Sequence, residues 1–259
     1  MAALNADALS DRLRETYPRV EVAAEVGSTN DELLSGDGPH RSVLFAEHQS
    51  AGKGRQGRQW LAPAGSQVAF SVLLRPTVQE RDFLGLLPLA AGLAVTDAIE
   101  GTTLKWPNDV LVDGERKLAG ILSEAADLER DPRVVVGVGI NVTQERSELP
   151  VEHATSLHAE GRDADRTELA GDVLEALAKR LEQLGTPDGR RSLINAYRQR
   201  CATLGQEVVV AAPGGEVRGI AADIAPGGEL LLERHTGGRQ EVSAGDVTHV
   251  RRASGETWQ

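Results

Sequence analysis

Gly52-Lys53-Gly54-Arg55-Gln56-Gly57-Arg58-Gln59-Trp60 decides between two folds. Gly52, Gly54 and Gly57 spell GxGxxG, the fingerprint of a dinucleotide-binding βαβ unit. In that unit the glycines open an apolar helix, but here Trp60-Leu61-Ala62-Pro63 follows, and then a strand-like run from Val68 to Leu74. A Rossmann loop also meets pyrophosphate mainly through backbone amides, whereas this one interleaves three cations with its glycines. Glycine lets the backbone approach closely, and guanidinium groups grip phosphate oxygens in pairs. A solvated basic turn is the simpler alternative. The preceding strand and the terminal Trp60, one of three tryptophans, favour a loop built to bind an anion. With nothing bound, its like charges repel and the loop is expected to be mobile.

Working outward, residues 4–17 read as a short amphipathic helix and Val20–Val26 as an edge strand. Ser28-Thr29-Asn30-Asp31 has the composition of a helix start, and a helix cap is its simplest reading. Val43–Ala46 is a buried strand feeding the basic loop. Leu86–Ile99 is apolar nearly all round, a buried helix with Pro88 in its first turn. Strand signals recur at 103–106, 109–113, 118–123 and 133–142. Residues 165–184 and 189–202 are helical, with Asp165 and Glu168 as a capping pair. After Leu204, β-rich runs at 207–211, 216–222, 229–234 and 240–250 alternate with Gly-Gly turns, the pattern of a small antiparallel barrel. These shifts divide the chain into residues 1–203 and 204–259.

Composition narrows the function classes. Of the 259 residues 40% are hydrophobic and 26% charged, ordinary for a globular protein. No run of apolar residues is long enough to span a bilayer, and no signal peptide opens the chain. Cys201 is the single cysteine, which excludes an internal disulfide, fits a reducing cytoplasm and reads as a buried small hydrophobe. A net charge of −11 argues against a general nucleic-acid binder. Only four of the 28 basic residues are lysines, and Lys53, Lys105 and Lys117 fall within motifs. Where arginine has displaced lysine almost everywhere, a surviving lysine hints at a chemical role.

Lys105-Trp106-Pro107-Asn108-Asp109 leads into Val110–Val112, a turn at Asp113-Gly114, and Lys117-Leu118-Ala119-Gly120-Ile121-Leu122. A hairpin of this kind brings Asp109 and Lys117 to one region of the sheet. The pair reads either as a surface salt bridge or as chemistry: a cation for a transferring phosphoryl group, and a carboxylate for magnesium or a substrate amine. Gly120 within a strand points to close approach by a ligand or a neighbouring backbone. Gly137-Val138-Gly139-Ile140-Asn141 ends an apolar strand in small residues and an amide; a bulge is the bland alternative.

Ser-Thr-Asn at 28–30, Gln49 followed by GKGRQGR and Trp60, KWPND, KLAGIL and GVGIN together resemble the biotin–protein ligase family, in that family's order and over residues 26–142. The turn-rich tail resembles its SH3-like C-terminal domain. The resemblance implies an α+β fold: a mixed β-sheet with helices packed on one face, as in class II synthetases, plus the small barrel. It implies ATP- and Mg2+-dependent conversion of biotin to biotinyl-5'-AMP. Transfer to a lysine of a biotin carboxyl carrier domain of an acetyl- or propionyl-CoA carboxylase would follow. By position, Ser28, Thr29, Asn30, Gln49, Gly52, Lys53, Arg55, Lys117, Gly120, Ile121 and Gly139 would face biotin. Arg55, Arg58, Trp60, Asn108, Asp109, Lys117, Asn141 and Arg251 would face the nucleotide, with Asp109 on the metal and Lys117, Arg55 and Asp109 catalytic.

Two departures stand out: Lys53 replaces an arginine common in the family, and the turn Val112–Arg116 is slightly long, which could displace Lys117 by one place. Only about 25 residues precede Ser28, without the winged helix of members that repress transcription, so no DNA binding is expected. A homodimer is left open. The rival readings are a lipoate–protein ligase of the same fold and a non-catalytic nucleic-acid-binding module.

Overall fold

Alternation along each strand decides which face of the sheet it builds. A computed structural model describes residues 2–212, 215–243 and 245–249. Seven strands form one mixed sheet: β1 (Arg19–Val26), β2 (Ser42–Gln49), β3 (Gln67–Leu74), β4 (Thr102–Lys105), β5 (Asp109–Val112), β6 (Arg116–Ala126) and β7 (Arg133–Asn141). Their spatial order is β1-β2-β3-β7-β6-β5-β4, so β1 is an edge, as its mixed pattern suggests. Only the β1–β2 pair is parallel.

One face carries Val43 and Phe45, then Val68, Phe70 and Val72, then Val134, Val136, Val138 and Ile140. Phe45 and Phe70 are directly opposed, with ring centroids 5.3 Å apart. On this face lie α1 (Ala6–Leu13), α3 (Leu87–Ala98) and α4 (Arg166–Leu184), with α5 (Pro187–Arg200) packed against α3 and α4. The all-round apolarity of α3 follows from its place between the sheet and α4. The Asp165 side chain caps α4, accepting from the backbone N–H of Thr167 and Glu168. The N-terminal helix is shorter than expected, stopping at Leu13.

The helix placement has one exception. Short α2 (Thr29–Ser35) lies on the opposite face, where Leu33 packs with Leu44, Leu73 and Val135. That same face carries the row Ala46, Ala69, Gly139, Gly120, Asp109 and Lys105, read straight across β2, β3, β7, β6, β5 and β4. A shallow bed of small side chains thus ends in a carboxylate and an ammonium.

The tail forms a five-stranded antiparallel sheet of β8 (Glu207–Ala212), β9 (Gly215–Ile224), β10 (Leu230–Glu233), β11 (Arg239–Val242) and β12 (Asp246–His249), ordered β11-β10-β9-β8-β12. The run expected at 240–250 is therefore two strands, which lie at opposite edges. Their separation follows from the chain crossing at Gly245, where an added Cβ would sit 2.6 Å from Val210 Cγ1. The tail sheet is seated on the first unit: Trp106 donates its Nε1–H to Gly228 O at 2.9 Å, and Arg198 pairs with Asp223 at 2.6 Å. No helix among the described residues is long and apolar enough to cross a membrane.

Candidate active site

A β-bulge creates the first element of the site. Residues 117 and 120 differ in parity, so in an unbroken strand they would face opposite sides. The register shifts between Val110 and Leu111, leaving Lys117 opposite Leu111 and Gly120 opposite Asp109. Leu111 and Asp109 share a face, and the extra residue returns Lys117 to the bed. There its Nζ lies 2.7 Å from Asp109 Oδ1 and 5.7 Å from the centre of the Trp60 ring. The long turn noted in the sequence is absorbed this way, with Asp113 and Gly114 both left-handed.

Trp60 lies flat on the bed. A Cβ on Gly120 would meet its ring at 2.9 Å and one on Gly139 at 2.5 Å, so only glycine admits the indole at either place. The indole N–H donates to Gln67 Oε1 at 2.6 Å. The basic loop folds back on itself ahead of Trp60: Trp60 N donates to Gly52 O at 2.9 Å and Gly54 N to Arg58 O at 2.7 Å. Gln56 and Gly57 turn the tip with positive φ.

Self-repulsion of the loop, the ground for expecting mobility, is offset by carboxylates from distant segments. Lys53 pairs with Asp31 and lies 3.7 Å from Glu124. Arg58 pairs with Asp246 of β12, and Arg55 lies 3.6 Å from the same carboxylate. Arg55 also donates to Gly245 O at 3.0 Å and Asn108 Oδ1 at 3.2 Å. Burial lowers the Arg55 pKa without removing its charge.

At the other end of the bed, Ser28 stands at the N-cap position but makes no cap bond, which corrects the reading of 28–30 as a plain cap. Thr29 and Asn30 are buried instead in a network centred on Ser71. The Thr29 and Ser71 hydroxyls are 2.7 Å apart, Ser71 donates to Asn30 Oδ1, and Gln49 Oε1 accepts from Thr29 N at 2.9 Å. Asn30 Nδ2 donates to Glu124 at 2.7 Å.

These parts line one groove of about 660 Å³ that runs from Ser28 to the C-terminal sheet. Five cationic side chains (Lys53, Arg55, Arg58, Lys105 and Lys117) face three acidic ones (Asp109, Glu216 and Asp246), the reverse of the chain's overall balance.

Residues 22–141 match the biotin/lipoate A/B protein ligase family, and residues 203–250 match the biotin protein ligase C terminal domain. A biotin--[acetyl-CoA-carboxylase] ligase of Mycobacterium tuberculosis is 45% identical over 91% of this chain and 90% of its own length. The chain belongs to the biotin–protein ligase family. An Escherichia coli bifunctional ligase/repressor is 31% identical, over 83% of this chain and 69% of its own. A solved Aquifex aeolicus biotin protein ligase in complex with biotin and ATP superposes with a TM-score of 0.77 at 32% identity, covering 89% of this chain and 98% of that one.

Most residues that the family resemblance nominated line the groove together; Gly52 does not, its carbonyl being taken by Trp60 N, and three that border the groove are oriented otherwise than expected. Ile121 sends its side chain into the core beside Gly92 and Val138, because it has the opposite parity to Gly120. Its main chain alone borders the site, with N–H donating to Asn108 O at 2.9 Å. Asn141 is buried with its amide committed at both ends, to Thr155 O at 2.9 Å and from Gln144 Nε2 at 3.0 Å, so it anchors the loop beyond β7. Lys53 lies at the α2 rim with Asp31, away from Lys117. Arg251 falls outside the described residues.

The sequence reading missed Ser71, Gln67 and Asp246. Ser71 had a signal: it is the one hydroxyl in the run Val68–Leu74. Asp246 had none, since its role arises from a contact across 188 residues with Arg58.

Proposed function

We propose that this chain is a biotin–protein ligase that converts biotin and ATP to biotinyl-5'-AMP and transfers the biotinyl group to a carrier lysine. The observation that carries this is the joining of two chemistries in one groove. An indole seated flat on Gly120 and Gly139 gives the groove a wall that suits a small fused-ring acid, and the Lys117–Asp109 pair with Arg55 meets it at the charged end. Biotin would lie along the groove against the indole, its ring polar groups toward the Thr29–Ser71–Gln49 network and its carboxylate toward Lys117.

In the first step a carboxylate oxygen bonds to the α-phosphorus, the bond from that phosphorus to the bridging oxygen breaks, and pyrophosphate leaves with the electron pair. Charge grows on the equatorial oxygens, where Lys117 and Arg55 are placed to stabilise it; losing one such contact typically costs about 3–4 kcal/mol. In the second step the carrier amine attacks the acyl carbon and AMP departs, with Asp109 positioned to orient the amine or take its proton.

No group of three or more His, Cys, Asp or Glu side chains able to hold a metal occurs among the described residues. Asp109 as a single carboxylate beside bound phosphates fits magnesium carried in by the nucleotide, where it would neutralise triphosphate charge. The division near residue 203 belongs to the same proposal: the C-terminal unit contributes Asp246 to the loop.

Purified chain incubated with radiolabelled biotin, ATP and magnesium should label a biotin-accepting carboxylase domain and form adenylate without it. Lys117→Ala should abolish adenylate formation while the thermal unfolding transition stays intact. Near-normal adenylation by that variant would remove Lys117 from the mechanism.

A further inference from the structure

Lys105 has a charge that the structure leaves unanswered. It ends β4 on the same cross-sheet row as Gly139, Gly120 and Asp109, and it lines the groove at the end nearest the C-terminal sheet. Among the described residues its ammonium has no hydrogen-bond or ion-pair partner. The adjacent carboxylate, Asp109, is taken by Lys117 at 2.7 Å. The other charged or titratable groups that act on Lys105 or that it acts on are Lys117, Arg58, His153 and His249, which add no negative charge. Both histidines are held neutral there by burial first and by the Lys105 charge second, His249 at a pKa of about 4. A half-buried cation among cations is costly unless an anion joins it.

We propose that Lys105 binds the β- and γ-phosphates of the nucleotide and holds the pyrophosphate as it leaves. The inference rests on the ligase reading above and adds to it a residue and a subsite. With the α-phosphorus at Lys117 on β6, Lys105 lies two strands away, about 10 Å across the sheet, and on the neighbouring row, since Lys117 stands opposite Leu111 and Lys105 opposite Asp109. A triphosphate extending in that direction passes over Asp109 and ends at the unpaired ammonium. The opposite orientation would set the uncharged adenine against this ammonium and leave its charge unmatched, whereas the triphosphate supplies the missing anion. The backbone ties the corner to the reaction centre, since Lys117 N donates to His153 O at 2.7 Å.

The test separates the two half-reactions and adds a binding measurement that needs no turnover. Lys105→Ala and Lys105→Met should raise the KM for ATP and the pyrophosphate concentration that half-inhibits adenylation by roughly 10- to 100-fold, the range for losing a charged hydrogen bond. Calorimetric titration of inorganic pyrophosphate into the full chain should weaken by the same factor. Transfer from presynthesised biotinyl-AMP to a carrier domain should stay within about twofold of wild type, and Lys105→Arg should restore most pyrophosphate affinity. Unchanged pyrophosphate binding in folded Lys105→Met overturns the assignment. An equal fall in both half-reactions also overturns it, because that is the mark of a purely structural lysine. A wild-type chain that binds pyrophosphate through Lys105 yet forms no biotinyl-AMP would sink the ligase reading and leave the anion site standing.

Discussion

Replacing Gly139 by alanine tests the bed directly, because its effects on folding and on ligand binding separate. Gly139 lies in mid-strand between Ala69 and Gly120 and has no left-handed φ, so the backbone accepts alanine. The new methyl would sit 2.5 Å from Trp60 Cε2 and 2.6 Å from its Nε1. Carbon contacts are comfortable at about 3.5–4.0 Å, so the indole must lift by about 1 Å. Trp60 is half-buried on a loop, and its bond to Gln67 can lengthen, so the fold should give way cheaply. Overpacking costs about 1–3 kcal/mol, and exchanging glycine for alanine in a strand returns about 0.5–1 kcal/mol. Net destabilisation of about 0–2.5 kcal/mol is a Tm shift of up to several degrees at this size. Biotin packed against that indole meets a displaced ring with no compensation, so its binding should weaken by about 1–3 kcal/mol, a rise in Kd of roughly 5- to 150-fold. Calorimetry with biotin, paired with scanning calorimetry of the protein, reads both. Gly27→Ala is the control, since no atom lies within 4 Å of its added Cβ. Unchanged biotin affinity in a folded Gly139→Ala protein would refute the placement of biotin against this indole.

Arg55→Gly should let biotinyl-AMP escape, read as biotin on bystander proteins in a mixed sample; tight retention would count against the loop as a cover. Asp246→Asn removes the carboxylate that pairs with Arg58 and faces Arg55. Trypsin should then cleave after Arg55 or Arg58 several-fold faster at unchanged Tm, and equal rates would show that the loop is held by its backbone alone. His249 is depressed from 6.5 to about 4, chiefly by burial. The unfolded chain therefore takes up a proton that the folded one refuses between those values, and stability falls as pH drops below 6.5, by about 1–2 kcal/mol at pH 5. His249→Gln should flatten that part of the Tm-against-pH curve; an unaltered slope would assign it to other groups.

What the sequence made legible was periodicity, and what it hid was parity and distance. The strands and helices of the first unit stand where alternation and four-residue recurrence put them, because one hydrophobic core imposes both periods. The hairpin shows the limit. KWPND and KLAGIL name the right residues, yet counting puts Lys117 and Gly120 on opposite faces, and only the bulge brings them together. The run at 240–250 likewise reads as one strand, because nothing local shows that Gly245 must cross over Val210. Ser28 carries the composition of a cap and lacks the bond, since helix position fixes its backbone while the buried network claims its neighbours.

The charge pattern connects these parts. A chain with net charge −11 places three of its four lysines along one groove, and two of the loop's three cations pair with a carboxylate supplied from outside the loop. Arg55 lies 3.6 Å from the Asp246 carboxylate that already pairs with Arg58. The Lys53 and Arg58 side chains are exposed, and pairs made by exposed side chains are worth at most about 1 kcal/mol each, so a phosphate that takes over the Arg58 guanidinium loses little by displacing aspartate. Binding is then an exchange of anions on a loop already folded, and the ordering cost that a free basic loop would meet is largely avoided. The exchange has a mechanical consequence. Asp246 belongs to the C-terminal sheet, so a phosphate drawing Arg58 away also releases one tie between that sheet and the groove. By linkage, whatever strengthens that tie must weaken nucleotide binding by the same factor.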